Sequence, residues 1–310
     1  MLHLRIITPG DRTEEAVTTL RGVPGTYNLI VLPGAAREPE GDVVLCDVAR
    51  ESGDDAVHAL RELGVDTDGS ITVENIDLTV SQGADRAEKE APGDSADAVL
   101  WDQLAETTHE ESTLSVTYLG FMTLATMLAA CGVVLDNAVL IVGAMAIGPD
   151  FGPLAGVSVA LVERRPRLAA RCLIGLVTGF AAAIGATVLF SLAMDAAGLF
   201  DASQLTDQRP TTQFIVSPDA FSLIVGVLAG VAGTLSLTSA KSGALVGVAI
   251  SVTTIPAAAN AAVALSYGNY AQTRASTEQL LLNLFAIAVA GTLTLLAQKW
   301  LWRVMRGKRA

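Results

Sequence analysis

The sequence predicts a polytopic α-helical membrane protein of about six spans in a 3+3 inverted repeat, with an N-terminal α+β, ferredoxin-like soluble domain. Three observations carry that prediction. The charge divides: residues 1–112 hold 24 acids and 8 bases, residues 113–310 hold 8 acids and 12 bases. Apolar stretches long enough to cross a bilayer recur only after residue 113, a span needing about 20 such residues. Two of those stretches, three spans apart, are each interrupted by proline near their middle.

The division sets the domains: 1–80 an acidic cytoplasmic βαββαβ domain, 81–112 a linker with an interfacial helix, 113–302 the transmembrane domain, 303–310 a basic cytoplasmic tail. A balance of −16 over the first 112 residues excludes nucleic acid as a partner of that part, since it would repel phosphates. With 4 Lys against 16 Arg and many Asp, the soluble surface suits a salt-rich cytoplasm, where screening relieves self-repulsion.

Within the soluble domain, Leu2–Ile7 reads as a strand, Thr8-Pro9-Gly10-Asp11 as a turn and Thr13–Leu20 as a helix. Asn28–Leu32 and Asp42–Val48 read as strands divided by the turn Pro33–Gly41. Ser52 is placed to cap a helix in which Ala56, Val57, Leu60 and Leu63 recur, Gly64 to end it, and Ser70–Val80 to form the last strand. This βαββαβ order is the split βαβ pattern. Nothing in it resembles a phosphate loop, a metal cluster or a nucleophile–base pair, so a regulatory or assembly module and an inert oligomerisation cap both stand. Residues 81–97 are polar enough for a linker. Asp94 or Ser95 would then cap a helix presenting Leu100, Trp101 and Leu104, with Trp101 suited to the membrane interface or to packing on the soluble domain.

Six spans follow: Ser115–Leu135, Asn137–Val162, Leu168–Met194, Ala220–Ser239, Gly243–Ser266 and Gln279–Trp302. Ten bases fall on one side, among them Arg164, Arg165, Arg167, Arg171 and Lys241, and two, Arg209 and Arg274, on the other. The positive-inside rule then places both termini and the soluble domain in the cytoplasm of a cell-membrane protein.

The second span is the one the rest turns on. Gly148, Pro149, Asp150, Gly152 and Pro153 interrupt it, and each proline removes an N–H and turns the preceding residue from helical torsions. Backbone groups freed there must be buried in protein or line a wet cavity. Asp150, about 20 Å along the segment, falls near the midplane, where a charge is costly and usually functional. It is either an ion site or a protonated or paired group in a structural kink. The fifth span meets Pro256 about as far in as the second meets Pro149, and the odd spacing of three spans makes the halves inverted. Paired breaks of this kind point to a transporter-like site. Asp150, Pro149 and Gly148 would line it from one side, and Ser251, Thr253, Thr254, Pro256 and Asn260 from the other, with carbonyls freed at Pro149 and Pro256 helping to hold an ion. Ser, Thr and Asn in spans also serve simply to bond backbone or a neighbouring helix. Small-residue pairs, Gly152/Gly156, Gly175/Gly179, Gly226/Gly230 and Gly243/Gly247, predict close helix approach and a homo-oligomer.

Cys46, Cys131 and Cys172 are scattered, as are His3, His58 and His109, so neither disulfide nor metal is predicted. No cofactor and no catalytic residue is predicted: H-E-x-x-H and G-x-S-x-G are missing from the sequence, and an enzyme is not expected.

At G-A-M-A-I-G-P-D-F-G-P (Gly143–Pro153), V-G-V-L-A-G-V-A-G-T-L-S-L-T (Val225–Thr238) and A-L-V-G-V-A-I-S-V-T-T-I-P (Ala244–Pro256) the chain resembles the hydrophobic membrane-protein family known as domain of unknown function 389. The resemblance covers about residues 115–260 and, with the acidic composition, implies a haloarchaeal member with a soluble domain ahead of its spans. It carries over no substrate and no functional residue. The family pattern usually has Ser at the place of Gly148, an apolar residue at that of Asp150, and a double proline at Pro256-Ala257. Asp150 would then tune this member rather than carry a family-wide mechanism.

The expected function is a transporter or channel for an ion or small polar solute, in the lipid bilayer, with a regulatory or assembly domain. A membrane-anchored sensor or scaffold is the alternative.

Overall fold

A computed structural model describes residues 1–93, 98–201, 220–238 and 254–307. It divides into two compact units, one built chiefly from Met1–Gln103, the other chiefly from Leu104–Leu237 and Ser242–Lys299.

The first unit holds a four-stranded antiparallel sheet, β1 (Leu2–Thr8), β2 (Thr26–Arg37), β3 (Glu40–Val48) and β4 (Ser70–Asn75), in the order β2-β3-β1-β4. Alternation in β1 sends Leu2, Leu4 and Ile6 inward, with no exposed surface. They meet Val44, Cys46 and Val48 of β3, which pairs with β1 from Leu2↔Val48 to Thr8↔Asp42. Helices α1 (Thr13–Gly22) and α2 (Gly53–Glu62) close this core with Ala16, Val17, Leu20, Ala56 and Leu60. Each buried Leu or Val contributes about 1.5–3 kcal/mol. Acids open both helices, Glu14 and Glu15 in α1, Asp54 and Asp55 in α2, and Arg21 and Arg61 stand in their last turns, as the helix dipoles favour. A short helix α3 (Val65–Asp68) follows Gly64, whose φ of 73° is the left-handed turn that stops α2.

Four expectations for this unit are corrected. The segment Pro33–Gly41 is mostly strand: β2 runs on to Arg37 through an irregularity between Leu32 and Ala36. Asp42 holds that irregularity, accepting from the Gly34 N–H and the Thr13 hydroxyl, both at 2.7 Å. Ser52 stands at the N-cap of α2 but makes no side-chain cap bond, because a 3-10 turn over Arg50–Ser52 leads into the helix and buries its hydroxyl. The last strand ends at Asn75, not Val80; exposed Leu78 and Val80 had extended its apparent alternation. The polar stretch after residue 80 contains α4 (Gln82–Glu90), capped by the Ser81 hydroxyl and buried only through Ala84 and Ala87. Asp94 and Ser95 lie outside the described residues. Leu100 joins the soluble core, and the Trp101 N–H donates to Asp54 Oδ1 at 3.1 Å.

In the second unit, α5 (Trp101–Glu111) contributes Leu104, Ala105 and Thr108 as buried residues. Then come α6 (Val116–Val134), α7 (Ala138–Ile147), α8 (Phe151–Val162), α9 (Pro166–Ala196), α10 (Ala220–Thr238), α11 (Ile255–Ser266) and α12 (Tyr270–Gly307). Four of these, α6, α9, α10 and α12, are long and apolar enough to cross a membrane, and α7 with α8 makes a fifth if that bent pair is one span. Six were expected. α11 is too short to count by itself, and Gly243–Thr253, with Gly243/Gly247, lies outside the described residues. Caps mark the helix starts: the Ser115 hydroxyl accepts from the Tyr118 N–H, and Asn137 Oδ1 from the N–H groups of Val139 and Leu140.

Candidate functional site

The break in the second span falls where the prolines demand it. α7 stops at Ile147, and Gly148, the residue before Pro149, takes the extended torsions φ −66°, ψ 124°. α8 starts at Phe151, and the two helices meet at 54°. Pro153 falls in the first turn of α8, where a missing N–H costs nothing.

Asp150 is the N-cap of α8, yet its side chain does not cap that helix. Its torsions are already helical, φ −74°, ψ −19°, whereas a capping residue takes β-region torsions to bring its oxygen back to the N2 or N3 amide. Thr254 at the N-cap of α11 is similar: helical torsions, no cap bond, and Pro256 in the first turn. The two side chains find each other instead. Thr254 Oγ1 donates to Asp150 Oδ2 at 2.5 Å, and both residues are completely buried. Two 12-residue helices thus meet amino end to amino end, and each brings the positive end of its dipole to the buried carboxylate.

Gly148 makes the approach close. A Cβ there would stand 2.9 Å from Ile255 Cγ1 and 3.2 Å from Asp150 Oδ1. Gly148, Pro149, Asp150, Thr254 and Pro256 are therefore assembled at one junction. Asn260 is not: it lies six residues along α11, where its amide donates to Ser276 Oγ at 2.6 Å and accepts from Gln272 Nε2 at 3.3 Å. Thr253 and Ser251 lie outside the described residues.

One part of the setting was not foreseen. α5 is seated on α8: a Cβ on Gly152 would run into the Glu111 side chain, 2.5 Å from its Cβ, and one on Gly156 would stand 2.6 Å from Cys172 Sγ and 3.3 Å from Thr108 Cβ. The spacing of Gly152 and Gly156 signalled a close approach without saying to what. Gly175 and Gly179 of α9 similarly admit Ser112 and Tyr118, whose phenol donates to the Gly175 carbonyl at 3.2 Å. Gly226 and Gly230 of α10 admit Ala286, Ile287 and Ala290 of α12. Among the described residues no group of three or more His, Cys, Asp or Glu is placed to hold a metal.

Chemically, the junction is a buried carboxylate that accepts from the Thr254 hydroxyl, at a place where the chain has left the regular helix. Such a group can take up a proton or a cation.

The family model described as "Domain of unknown function (DUF389)" matches residues 145–289, a segment that includes both sides of the junction. An uncharacterized protein of Methanocaldococcus jannaschii is 24% identical over 232 residues, 74% of this chain and 68% of that relative. No solved structure matches the chain.

Proposed function

With residues 145–289 carrying the DUF389 domain, we propose that this chain is an integral membrane transporter or channel for an ion or small polar solute, with Asp150 as the group that binds a proton or cation. The observation that carries the reading is the buried Asp150–Thr254 bond joining the amino ends of two short apolar helices, α8 and α11. A carboxylate is expensive there unless it is used, and breaks at matching places in two spans are where transporters hold their ions.

The finer architecture belongs to the same proposal. Six spans in a 3+3 inverted repeat accord with α8 and α11, each 12 residues long and each starting beside a proline. A ferredoxin-like soluble domain accords with the antiparallel order β2-β3-β1-β4. That domain regulates or assembles the membrane part, the boundaries being 1–80, 81–112, 113–302 and 303–310. The membrane is the cell membrane, with both termini cytoplasmic by the arginines at 164, 165, 167 and 171. The chain is a homo-oligomer without enzymatic activity, and its acidic surface suits a salt-rich cytoplasm.

Ion and solute flux in proteoliposomes, wild type against Asp150→Asn, tests the reading. Flux whose selectivity or pH dependence changes in the mutant supports it. Flux indifferent to Asp150→Asn removes Asp150 from the pathway. No flux from folded protein at any salt or pH overturns transport and leaves a sensor or scaffold.

A further inference from the structure

A cleft of about 670 Å³ runs between α8, α9 and α12, walled by residues such as Val157 and Leu161, Phe180 and Ala181, Phe285 and Leu293. That is within the roughly 300–1,000 Å³ of cavities that bury a whole small ligand. Its walls are apolar throughout. The one hydroxyl among them, on Thr292, is turned into its own helix and donates to the Ala288 carbonyl at 2.7 Å, a carbonyl that also accepts from Ser158 at 3.1 Å. A polar occupant would give up its hydrogen bonds to water and find none here. A hydrocarbon chain loses nothing.

One end of the cleft is charged. α8 and α9 are two of its walls, and the loop that joins them follows Leu161, the last α8 residue in the lining. Leu161 lines the cleft only three residues before Arg164, about 5 Å along the chain. Glu163 is neutralised by Lys299, whose Nζ lies 2.5 Å from its carboxylate. Arg164 and Arg167 follow and are exposed. Guanidinium groups bind phosphate through paired N–H donors, and basic pockets between spans hold anionic lipid headgroups.

We propose that the cleft between α8, α9 and α12 holds one hydrocarbon chain of an anionic membrane lipid, with the lipid phosphate on Arg164 and Arg167. Seated there, the hydrocarbon packs against α8, the helix whose N-cap is Asp150. The site stands whether or not the protein conducts.

Native mass spectrometry of the full-length protein, equilibrated with equal amounts of phosphatidylglycerol and phosphatidylcholine, tests it. The wild type should retain phosphatidylglycerol about fivefold over phosphatidylcholine. Ala181→Trp, and Val289→Trp from the facing wall should the first not fold, should lose the retained lipid, while Leu189→Trp, outside the cleft on α9, keeps it. The combined Arg164→Gln, Arg167→Gln protein should retain a lipid and lose the preference. Equal retention of both lipids by the wild type, or undiminished retention in the cleft-filled proteins, overturns the proposal. A dimer that becomes monomeric in Ala181→Trp with lipid retention unchanged overturns it too, and makes the cleft a seat for a second copy.

Discussion

Asp150 and Thr254 stand 104 positions apart, each at the N-cap of a 12-residue helix, and each leaves its own helix uncapped to bond the other. An N-cap bond is worth about 1 kcal/mol, so the junction takes the place of two local bonds that the sequence could have made. Thr254→Val removes one donor to the buried carboxylate. The expected cost is about 1–3 kcal/mol, read as a lower unfolding temperature in detergent. In Thr254→Val combined with Asp150→Leu most of that cost should be gone, since matched apolar groups replace a buried polar pair without great loss. Additive losses in the double mutant would show that the pair is not coupled.

Gly156→Ala forces a methyl against Cys172 Sγ, and Gly152→Ala forces one against the Glu111 side chain. Each should destabilise by about 1–3 kcal/mol, the usual cost of overpacking. Cys172→Ala should restore much of the loss in Gly156→Ala, and Glu111→Ala in Gly152→Ala. Unfolding midpoints of the single and paired mutants decide it. A Gly152→Ala protein as stable as wild type would mean that α5 is not seated on α8.

In the soluble unit the Gly34 N–H and then the Thr13 hydroxyl hold the Asp42 carboxyl below its ordinary value. The sign follows from the direction. A carboxyl depressed on folding adds stability above its unfolded value, and that stability is lost as pH falls through the folded one. An NMR titration should find Asp42 below an ordinary aspartate, and Thr13→Val should bring it upward. An Asp42 that titrates as in a free peptide would contradict the two bonds.

Burial, and then the neighbouring Asp47 charge, push the Cys46 thiol up to about 12. At neutral pH it stays protonated and inert. Iodoacetamide should leave Cys46 unmodified in the folded protein and modify it on unfolding, as mass spectrometry of the peptide would show. Fast labelling without unfolding would place β3 outside the core.

How much of this was legible follows from where the signal lies. Gly148, Pro149 and Pro153 act on their own backbone, so the break was readable from three residues. The strands β1 and β3 were readable because both alternate against one core. The Asp150–Thr254 bond is a fact about two distant segments: the sequence named both residues, and also Asn260, without the distances that separate a junction from a residue 9 Å or so up the helix. α4 was hidden because its buried face is only Ala84 and Ala87 among charged residues, too little apolar surface to mark a helical period. The continuation of β2 past Pro33 was hidden because Pro and Gly announce a turn, and here they make an irregularity held by Asp42.

The one amide buried in α11 has a mechanical meaning. From Ile255 to Ala264 that helix presents apolar side chains, mostly alanine, with the sole exception of Asn260. Methyl surfaces slide past one another at little cost, but a buried amide that loses its partners does not. Asn260, tied to Gln272 and Ser276, works as a registration pin between α11 and α12, in the way one polar residue fixes the alignment of a coiled coil. Sliding α11 along α12 by even one residue would therefore strand that amide, which holds the two helices to a single alignment.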